Sequence, residues 1–519
     1  MNQPTEKPTS VRFGVLGFAC VLSMITYLDR VSFGTVATNI QGEFGLSESE
    51  KGWLFTAFAF AYAVFEVPTG WLGDRFGARN TLIRIVLWWS VFTALTGSIY
   101  PTPGSVVAFG LMLTIRFLFG VGEAGAYPNI ARALHNWFPF GERGFAKGAV
   151  WMAGRLAGGL TAFLVYALIF QTTDATGQKT EHWRHVFYVF GALGVVWCGC
   201  WWWWYRDRPE EKPGVNQAEI DLIRGVIPAE PDTASRHAIQ AGDPQPGRSA
   251  SDVFEGPPPI PPRPLPPPQV HEPLRVPWLT LLSNLNLWIL CLMYFCAAYG
   301  WYLNITYLPG YLKEQLGIER GTEKWTGQFW IAGLMAGLPL LVGAVSCLLG
   351  GYLTDLFIKR TGNRKWGRRL FGVIGHGLCA CCFFVALAFM TNPWAFVLLI
   401  AFAAFWNDLT MGSSWASCLD IGKRYSGIVA GCMNTIGNLG GALAGILTGK
   451  ILDWHTGTLT RGTEGAVTGF VEQIPFESAK ADGWIVNISL FGAAYVLAVL
   501  CWLRFDATKP VVPEENEPH

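Results

Sequence analysis

The sequence predicts an all-α membrane protein with twelve transmembrane helices in two pseudo-symmetric six-helix bundles. Three observations predict this fold: a low content of charged residues, a series of long apolar stretches, and landmarks that recur at a constant spacing. Of the 519 residues, 51% are hydrophobic and only 14% are charged, whereas soluble domains carry about 25% charged residues. The chain has too few charges to cover a water-facing surface, so we expect lipid to be part of its surroundings.

Twelve stretches are apolar and long enough to cross a bilayer, which takes about 20 residues in a helix. Six of them precede a long polar segment and six follow it, which predicts two bundles of equal size. The stretches are centred near residues 24, 61, 91, 117, 159, 195, 293, 341, 380, 403, 438 and 494.

The polar segment divides the chain into four regions. We expect an N-terminal bundle at 11–205, a cytoplasmic Pro-rich linker at 206–277, a C-terminal bundle at 278–506 and a cytoplasmic tail at 507–519. The linker contains GPPPIPPRPLPPP at 256–268. Proline this dense cannot donate helical hydrogen bonds and favours an extended polyproline II conformation. A stiff spacer is favoured over a ligand for an SH3-type domain.

The distribution of Lys and Arg in the loops predicts the orientation of the chain. The loops that follow the second, eighth and tenth helices are basic, whereas the turns at 100–106 and 391–393 have no Lys or Arg. Cytoplasmic loops carry an excess of positive charge. We therefore expect both termini and the linker on the cytoplasmic side of the plasma (inner) membrane. The basic loop residues are Arg75, Arg79, Lys359, Arg360, Arg364, Lys365, Arg368, Arg369, Lys423 and Arg424.

Several landmarks of the first half recur in the second half. GWLGD at 70–74 and GYLTD at 351–355 are offset by 281 positions, and Arg143 of GERG and Arg424 of GKRYSG have the same offset. GRLAGG at 154–159 and GNLGG at 437–441 follow at nearly that spacing. This pattern indicates an internal duplication of six helices. Transporters built from such repeats bind substrate near the bilayer midplane and rock the halves around it.

A few ionisable residues lie inside the apolar stretches. Asp29 and Arg30 lie in the first stretch, Arg116 and Glu123 in the fourth, and Arg155 in the fifth. Charges inside a membrane helix are costly and usually functional. Arg116 and Glu123 are seven positions apart, which corresponds to about 10 Å along a helix, or two turns, so both side chains face the same way. We expect these groups to face the interior of the protein and not the lipid.

The loop GWLGDRFGARN at 70–80 resembles the signature of the major facilitator superfamily between helices two and three. That resemblance implies the major facilitator fold and a gating role, because glycines permit a tight turn while the Asp accepts hydrogen bonds from a basic residue or a helix N-terminus in the other half. We do not expect these residues at the substrate. The matching residues are Gly70, Asp74, Arg75, Gly77 and Arg79, with Gly351 and Asp355 as a weaker copy.

Within that superfamily the chain resembles the anion:cation symporter family. Five segments carry the resemblance: YLDRVSFG (27–34), RFLFGVGEAGAYPN (116–129), WFPFGERGFAKG (137–148), WYLNITYLPGYL (301–312) and DIGKRYSGIVAGCMNTIGNLGG (420–441). That family includes bacterial galactonate, glucarate and hexuronate permeases, sialin and the vesicular glutamate transporters. The resemblance implies proton-coupled symport of an organic anion, favouring a sugar acid such as a hexonate, hexuronate or aldarate.

The resemblance also implies roles for individual residues. An arginine fits a carboxylate bidentately and stays charged, which suits the position of Arg30. A buried carboxyl such as Glu123 binds protons more readily than one in water. The expected substrate-binding residues are Arg30, Tyr62, Arg155, Asn438, Tyr302 and Ser414, and the expected proton-coupling residues are Asp29, Glu123 and Arg116. Asn304, Ser413, Trp415 and Asn434 are further polar candidates that either bind substrate or join helices.

Three departures from the family pattern leave questions open. Arg155 stands where sugar-acid permeases of the family often have Gln, and it either grips a second carboxylate or neutralises Glu123. Phe55 and Ala297 stand where the vesicular glutamate transporters have His and Arg, which disfavours glutamate as substrate. Glu66 stands where Gln is common, and the sequence gives no account of it.

Other functions fit the sequence less well. A drug:proton antiporter usually has a Gly-Pro pair in its fifth helix, and GAVWMAGRLAGGL at 148–160 has no proline. A transporter of another carboxylate with different coupling remains an alternative. We find no GxxxxGK[ST] or HExxH motif that would indicate an enzyme or sensor, and the twelve Cys fall in apolar stretches as packing residues. We therefore expect no enzyme activity, no cofactor, metal or nucleic acid, and a monomer in the lipid bilayer whose partners are a small organic anion and protons.

Overall fold

Long helices account for almost all of the structure. The computed structural model describes residues 7–139, 142–173, 179–225, 276–318, 327–457 and 476–512. Each of the twelve predicted centres falls inside one helix, so the predicted all-α fold with twelve helices is confirmed. The helices are α1 (Val11–Phe44), α2 (Glu48–Phe76), α3 (Ala78–Thr96), α4 (Val106–Trp137), α5 (Arg143–Leu168), α6 (Arg184–Trp204), α7 (Leu285–Leu316), α8 (Gly327–Thr361), α9 (Arg364–Phe389), α10 (Pro393–Gly422), α11 (Ser426–Thr456) and α12 (Phe476–Arg504).

Nine of these helices, judged over the described residues, are both long and apolar enough to cross a membrane. The other three are α2, α3 and α11. The α3 helix carries Arg79 and Arg84, while α2 and α11 pack directly against each other. Because α2 and α11 face protein over much of their surface, they tolerate Gly, Thr and Asn at positions where lipid would demand larger apolar side chains.

Three helices are interrupted near the middle of the molecule. The α4 helix has a turn at 124–125 between Val106–Glu123 and Ala126–Trp137, and α10 is divided after Leu409. The α7 helix contains a π-helical turn at Leu303–Tyr307. Such turns are frequent at functional sites, because they leave the backbone and side chains in orientations that a regular helix does not allow.

We name the two ends of the molecule by their loops. The linker face carries residues 205–211 and 361–363, and the far face carries residues 45–47 and 390–392. The far face also has a short antiparallel β-ribbon, β1 (Phe170–Thr173) and β2 (Lys179–His182), which the sequence analysis did not predict. The Pro-rich stretch 256–268 lies outside the described residues.

The start of the predicted linker folds against the N-terminal bundle. The short helix Gln217–Arg224 places Glu219 at the beginning of α1. The Glu219 carboxylate accepts hydrogen bonds from the backbone N–H groups of Val11 and Arg12, and it pairs with the Arg12 guanidinium at 3.1 Å. A negative charge at a helix N-terminus is stabilising. Residues 206–225 therefore behave as an extension of the bundle.

Three seams join the two bundles, and glycines line each seam. They lie between α1 and α7, α2 and α11, and α5 and α8. A Cβ placed on Gly34 would lie 2.2 Å from the Ile305 carbonyl oxygen, and one on Gly52 would lie 2.5 Å from the Gly445 oxygen. Only glycine permits backbones to approach this closely. Among the described glycines, all such backbone approaches between the bundles lie toward the far face.

An ion cluster seals the far face between the bundles. Lys480 of α12 lies 2.7 Å from Glu48 of α2 and 2.6 Å from Glu314 of α7, and Lys51 lies 2.6 Å from Glu48. In addition, the Asp453 carboxylate of α11 accepts hydrogen bonds from the Glu48 and Ser49 backbone N–H groups at 2.9 and 2.7 Å. The far-face cluster and the glycine seams together describe a state that is closed toward the far face.

The α5–α8 seam predicts a sharp difference between two glycines of the same helix. A Cβ on Gly337 would lie 1.9 Å from the Gly159 carbonyl oxygen, whereas a Cβ on Gly351 would meet nothing within 4 Å. We expect Gly337→Ala to destabilise this state by about 1–3 kcal/mol through overpacking. The control Gly351→Ala should be neutral or stabilising by up to about 1 kcal/mol through helix propensity. Thermal unfolding of the purified proteins measures both, and equal effects would contradict the close packing.

Candidate functional site

Three arginines and three carboxylates lie together at mid-depth in the described part of the bundle interior. They come from α1, α4, α5 and α10, which surround the boundary between the two halves. Five of them are fully buried, and the Arg30 side chain is only 9% exposed. We call this set the charged layer; it consists of Asp29, Arg30, Arg116, Glu123, Arg155 and Asp408.

Arg30 of α1 forms an ion pair with Glu123 of α4. Its Nε lies 2.8 Å from Glu123 Oε1, and its guanidinium carbon lies 4.5 Å from the centroid of the Tyr62 ring. The pair is incompletely satisfied, since Arg30 Nη2 and Glu123 Oε2 have no hydrogen-bond partner within the described chain. A second carboxylate can therefore bind Arg30 while the ring of Tyr62 supports the cation from its face.

Arg116 and Asp29 complete the N-terminal part of the charged layer. The Arg116 guanidinium carbon lies 4.0 Å from the centroid of the Phe33 ring. The structure shows Glu123 paired with Arg30, although Arg116 lies two turns away on the same helix. Neither carboxylate oxygen of Asp29 has a hydrogen-bond partner among the described residues. A buried carboxylate without a partner is costly, so this group suits a site that gains and loses protons.

Arg155 of α5 pairs across the boundary with Asp408 of α10. Arg155 Nη2 lies 2.9 Å from Asp408 Oδ1, and the two side chains are 3% and 0% exposed. Asn407 donates a hydrogen bond to the same Asp408 oxygen at 3.0 Å. The sequence left two roles open for Arg155, binding a second carboxylate or neutralising Glu123. The structure pairs Arg155 with Asp408, and it pairs Glu123 with Arg30. The sequence analysis missed Asp408, although it interrupts an apolar stretch just as Asp29 does.

The other predicted substrate-binding residues divide into two groups. The Tyr302 hydroxyl of α7 donates to Asn438 Oδ1 of α11 at 3.3 Å, so this contact joins two different helices. Ser414 differs, because its hydroxyl donates to the Thr410 carbonyl of its own helix at 3.0 Å. Ser413 contacts the Thr354 hydroxyl at 3.1 Å. The structure thus assigns the hydroxyls of Ser414 and Ser413 to contacts within the C-terminal bundle.

Between the charged layer and the linker face, side-chain contacts join the halves in the part of the chain that the structure describes. Asn434 of α11 donates a hydrogen bond to the Glu66 carboxylate of α2. The Trp151 ring of α5 lies 6.0 Å from the Trp415 ring of α10 and stacks on Tyr127 at 4.4 Å. We call these five residues the linker-side layer. The sequence leaves the role of Glu66 open. In the structure, its carboxylate bridges the two bundles.

The predicted gating residues lie at the linker face, away from the charged layer. Gly77 has φ 82°, and a Cβ there would lie 2.7 Å from Asp207 Oδ2, so the turn requires glycine. The Arg79 backbone N–H donates to Asp207 Oδ1 at 3.0 Å. In the weaker copy, Asp355 lies 3.4 Å from Arg368. Gly70 and Arg75 lie at the same end of α2, and the side chain of Asp74 lies outside what the structure describes.

The site offers charged and aromatic groups but no metal cage in the described ranges. Within those ranges, no three His, Cys, Asp or Glu side chains group as metal ligands. The arrangement brings together three arginines (Arg30, Arg116 and Arg155) and three carboxylates (Asp29, Glu123 and Asp408), each with at least one polar atom that has no hydrogen-bond partner among the described residues. Such a set can bind an anion and exchange protons.

Comparisons with known proteins identify a family and several relatives. Residues 19–445 match the family model described as Major Facilitator Superfamily. The chain is 31% identical over 443 residues to the probable sulfoacetate transporter SauU of Cupriavidus necator, covering 85% of this chain and 87% of the relative. It is 27% identical over 470 residues to the probable galactarate/D-glucarate transporter GudP of Escherichia coli, covering 89% and 90%.

Solved structures show the same fold. A bacterial homolog of the human lysosomal transporter Spinster, inward-facing and unoccupied, aligns with a TM-score of 0.66 at 18% identity, covering 96% of this chain and 98% of that one. The inward-open xylose transporter XylE of E. coli aligns with a TM-score of 0.61 at 13% identity, covering 95% and 96%. At these identities the likeness extends to the fold alone.

The contact between Glu66 and Asn434 predicts an energetic coupling across the two bundles. We expect a double-mutant cycle of Glu66→Ala and Asn434→Ala, followed by thermal unfolding, to give a coupling of about 1–3 kcal/mol, as for a hydrogen bond to a charged group. Asn487→Ala is the control, because Asn487 donates to the Gly483 carbonyl of its own helix α12. Its effect should add to that of Glu66→Ala. Additivity of Glu66→Ala and Asn434→Ala would contradict the contact.

Proposed function

Because the chain belongs to the Major Facilitator Superfamily, we propose that it is a secondary active transporter that symports an organic anion with protons by alternating access. Membership makes the chain a transporter and not an enzyme. The observation that supports anion symport is the Arg30–Glu123 pair, in which one buried arginine keeps an unfilled donor beside two buried acids. The proposal is that Arg30 binds the substrate acid group and Glu123 and Asp29 take up protons.

Small organic acids are the substrate class that we propose, and sugar acids are favoured within it. The relatives are named as transporters of sulfoacetate and of galactarate or D-glucarate. These substrates are anions, and the sugar acids among them also carry hydroxyls. In this chain, Tyr62, Tyr302 and Asn438 supply hydroxyl and amide groups on the helices around Arg30. Such groups can pair with substrate hydroxyls that would otherwise lose their hydrogen bonds on leaving water.

Charge balance explains why an anion and a proton would move together. The empty pair of Arg30 and Glu123 is neutral, and an added anion would leave one uncompensated negative charge at mid-depth. Burying an unpaired charge is expensive. A proton on Glu123 restores neutrality and releases Arg30 to the substrate. Substrate and proton would therefore stabilise each other in the site, which is the coupling that symport requires.

Alternating access would use the far-face cluster and the linker-side layer as opposing gates. Opening toward the far face requires parting Lys480 from Glu48 and separating the glycine seams. Opening toward the linker face requires parting the contacts of the linker-side layer, Glu66 with Asn434 and Trp151 with Trp415. Rocking of the two repeats around a fixed midplane site achieves both movements in turn.

We propose that the linker face is cytoplasmic and that the protein lies in the plasma membrane as a monomer. Basic residues of the loops support this orientation, among them Arg75, Lys359 and Arg360 at the linker face. The far face also has cations, but Arg184 pairs with Glu43 at 2.6 Å and Lys480 pairs with Glu48 and Glu314. Among the described residues, Lys and Arg are more numerous at the linker face than at the far face.

Replacing Glu123, the proposed proton carrier, separates binding of the anion from its coupling to protons. We expect Glu123→Gln to abolish proton-driven accumulation in proteoliposomes while sparing counterflow of the same anion, because Gln cannot take up the proton. The matched control is Glu210→Gln, since Glu210 lies at the linker face in an exposed pair with Arg224. Accumulation that is unchanged in Glu123→Gln would remove Glu123 from the coupling step.

Replacement of the proposed anion ligand tests the binding step. We expect Arg30→Lys to weaken substrate affinity about 10- to 100-fold, because lysine loses the planar bidentate fork and the stacking on Tyr62. The control Arg224→Lys, in an exposed pair, should leave affinity unchanged. Thermal stabilisation across a panel of sugar acids measures the affinities. Equal affinities in Arg30→Lys and the wild type would show that Arg30 does not contact the anion.

A further inference from the structure

The pair of Arg155 and Asp408 is a charged site that the cycle proposed above does not use. It lies at the depth of Arg30 and is fully buried, yet it joins opposite halves of the molecule. One contact of 2.9 Å holds it together. Arg155 Nε and Nη1 and Asp408 Oδ2 have no hydrogen-bond partner in the described ranges. A guanidinium with two unfilled donors is poised to accept a better ligand than one carboxylate oxygen.

The second arginine lies close to the first. The Tyr27 ring lies near both, with its centroid 6.0 Å from the Arg30 guanidinium carbon and 5.6 Å from that of Arg155. The two carbons are therefore no farther apart than the sum of these distances. The indole of Trp301 covers Arg155 at 4.2 Å. A small molecule with acid groups at both ends of a short carbon chain can reach both arginines at once.

We propose that Arg155 is a second anion subsite, that Asp408 is its exchangeable counter-ion, and that the transported substrate carries two acid groups. This inference rests on the proposed function and narrows its substrate class. One acid group of the substrate binds Arg30 and the other displaces Asp408 from Arg155. Carboxylates and sulfonates both fit, since either offers two or more oxygens to the guanidinium fork.

The exchange also explains how a dianion would release the two bundles from each other. Arg155 belongs to α5 and Asp408 to α10, so their ion pair ties the halves together at mid-depth. A dianion that takes Arg155 breaks this tie, whereas a monoanion bound at Arg30 leaves it in place. Both kinds of acid would bind, but only the dianion removes the mid-depth constraint on rocking.

Charge balance then calls for a second proton. In the described ranges, the titratable side chains that interact electrostatically with Asp408 include, besides Arg155 of α5, the four residues Tyr27, Cys347, Cys379 and Tyr495, from α1, α8, α9 and α12. None of these four is a cation. When Arg155 turns to the substrate, a proton is the available compensation for Asp408. A dianion would accordingly travel with two protons, one for Glu123 and one for Asp408.

The test compares acids that differ only in one terminal group. D-gluconate and D-glucarate form one pair, and D-galactonate and galactarate form another. Their affinities are measured by thermal stabilisation of the full-length protein in its wild-type form, the double variant Arg155→Gln/Asp408→Asn, and the single variant Asp408→Asn. The double variant keeps the site neutral. The control Arg184→Gln/Glu43→Gln removes a pair that lies within the N-terminal half at the far face.

We expect at least one dianion to bind the wild type about 10-fold or more tightly than its monoanionic partner, as for an added charge-assisted contact. The double variant should lose that preference, mainly by weaker dianion binding. The single Asp408→Asn should bind the dianion several-fold more tightly, because the competing carboxylate is gone. A purely structural ion pair would lower the stability of both variants without changing the preference. The control should keep the wild-type preference.

Three results would overturn the inference. The first is that the wild type binds dianions no more tightly than monoanions. The second is that the double variant still prefers the dianion. The third is that Asp408→Asn binds the dianion more weakly than the wild type does. If the double variant does not fold, the wild-type comparison and Asp408→Asn still decide. If monoanions bind in an Arg30-dependent manner but dianions bind no more tightly, only this inference is rejected. A failure of every acid to bind or be transported would reject the proposed function with it.

Discussion

Charge buried inside a membrane protein must be neutralised by something, and this constraint organises the structure. Arg30 is neutralised by Glu123 and Arg155 by Asp408, each through one short contact that leaves other polar atoms unfilled. A fully satisfied buried pair would hold its partners fixed, because breaking it would cost several kcal/mol. Half-satisfied pairs can exchange one partner for another of the same charge. A carrier needs that property, since its site must accept an anion and release it again.

The glycine seams allow the two bundles to move against each other. At Gly34, Gly52 and Gly337 the bundles touch through backbone, which gives close packing without interlocked side chains. Such surfaces separate with little rotamer rearrangement. Toward the linker face, the described contacts between halves are instead made by side chains such as Glu66 and Trp151. The two faces are therefore closed by different means, a backbone seam with an ion cluster on one side and thin side-chain bridges on the other.

Much of this architecture could be read from the sequence, because membrane helices reflect composition and length directly. The twelve helices and the buried placement of Arg30 and Glu123 follow from apolar stretches interrupted by costly charges. The pairing of those charges could not be read. Whether Glu123 faces Arg30 or Arg116 depends on how α1 and α4 rotate against each other, which sequence spacing does not determine. The pairing of Arg155 with Asp408 could not be read either, because the two residues lie 253 positions apart.

The most direct test of the account is whether the two faces open in alternation around the charged layer. In a variant without native cysteines, spin labels at Thr102 and Thr391 report on the far face, and labels at Arg208 and Thr361 report on the linker face. The distance between the two labels of each pair is measured by pulsed electron paramagnetic resonance, with and without a bound sugar acid, at acidic and neutral pH. The account predicts opposite changes, the far-face distance lengthening as the linker-face distance shortens. Distances that stay fixed, or that lengthen together, would contradict it.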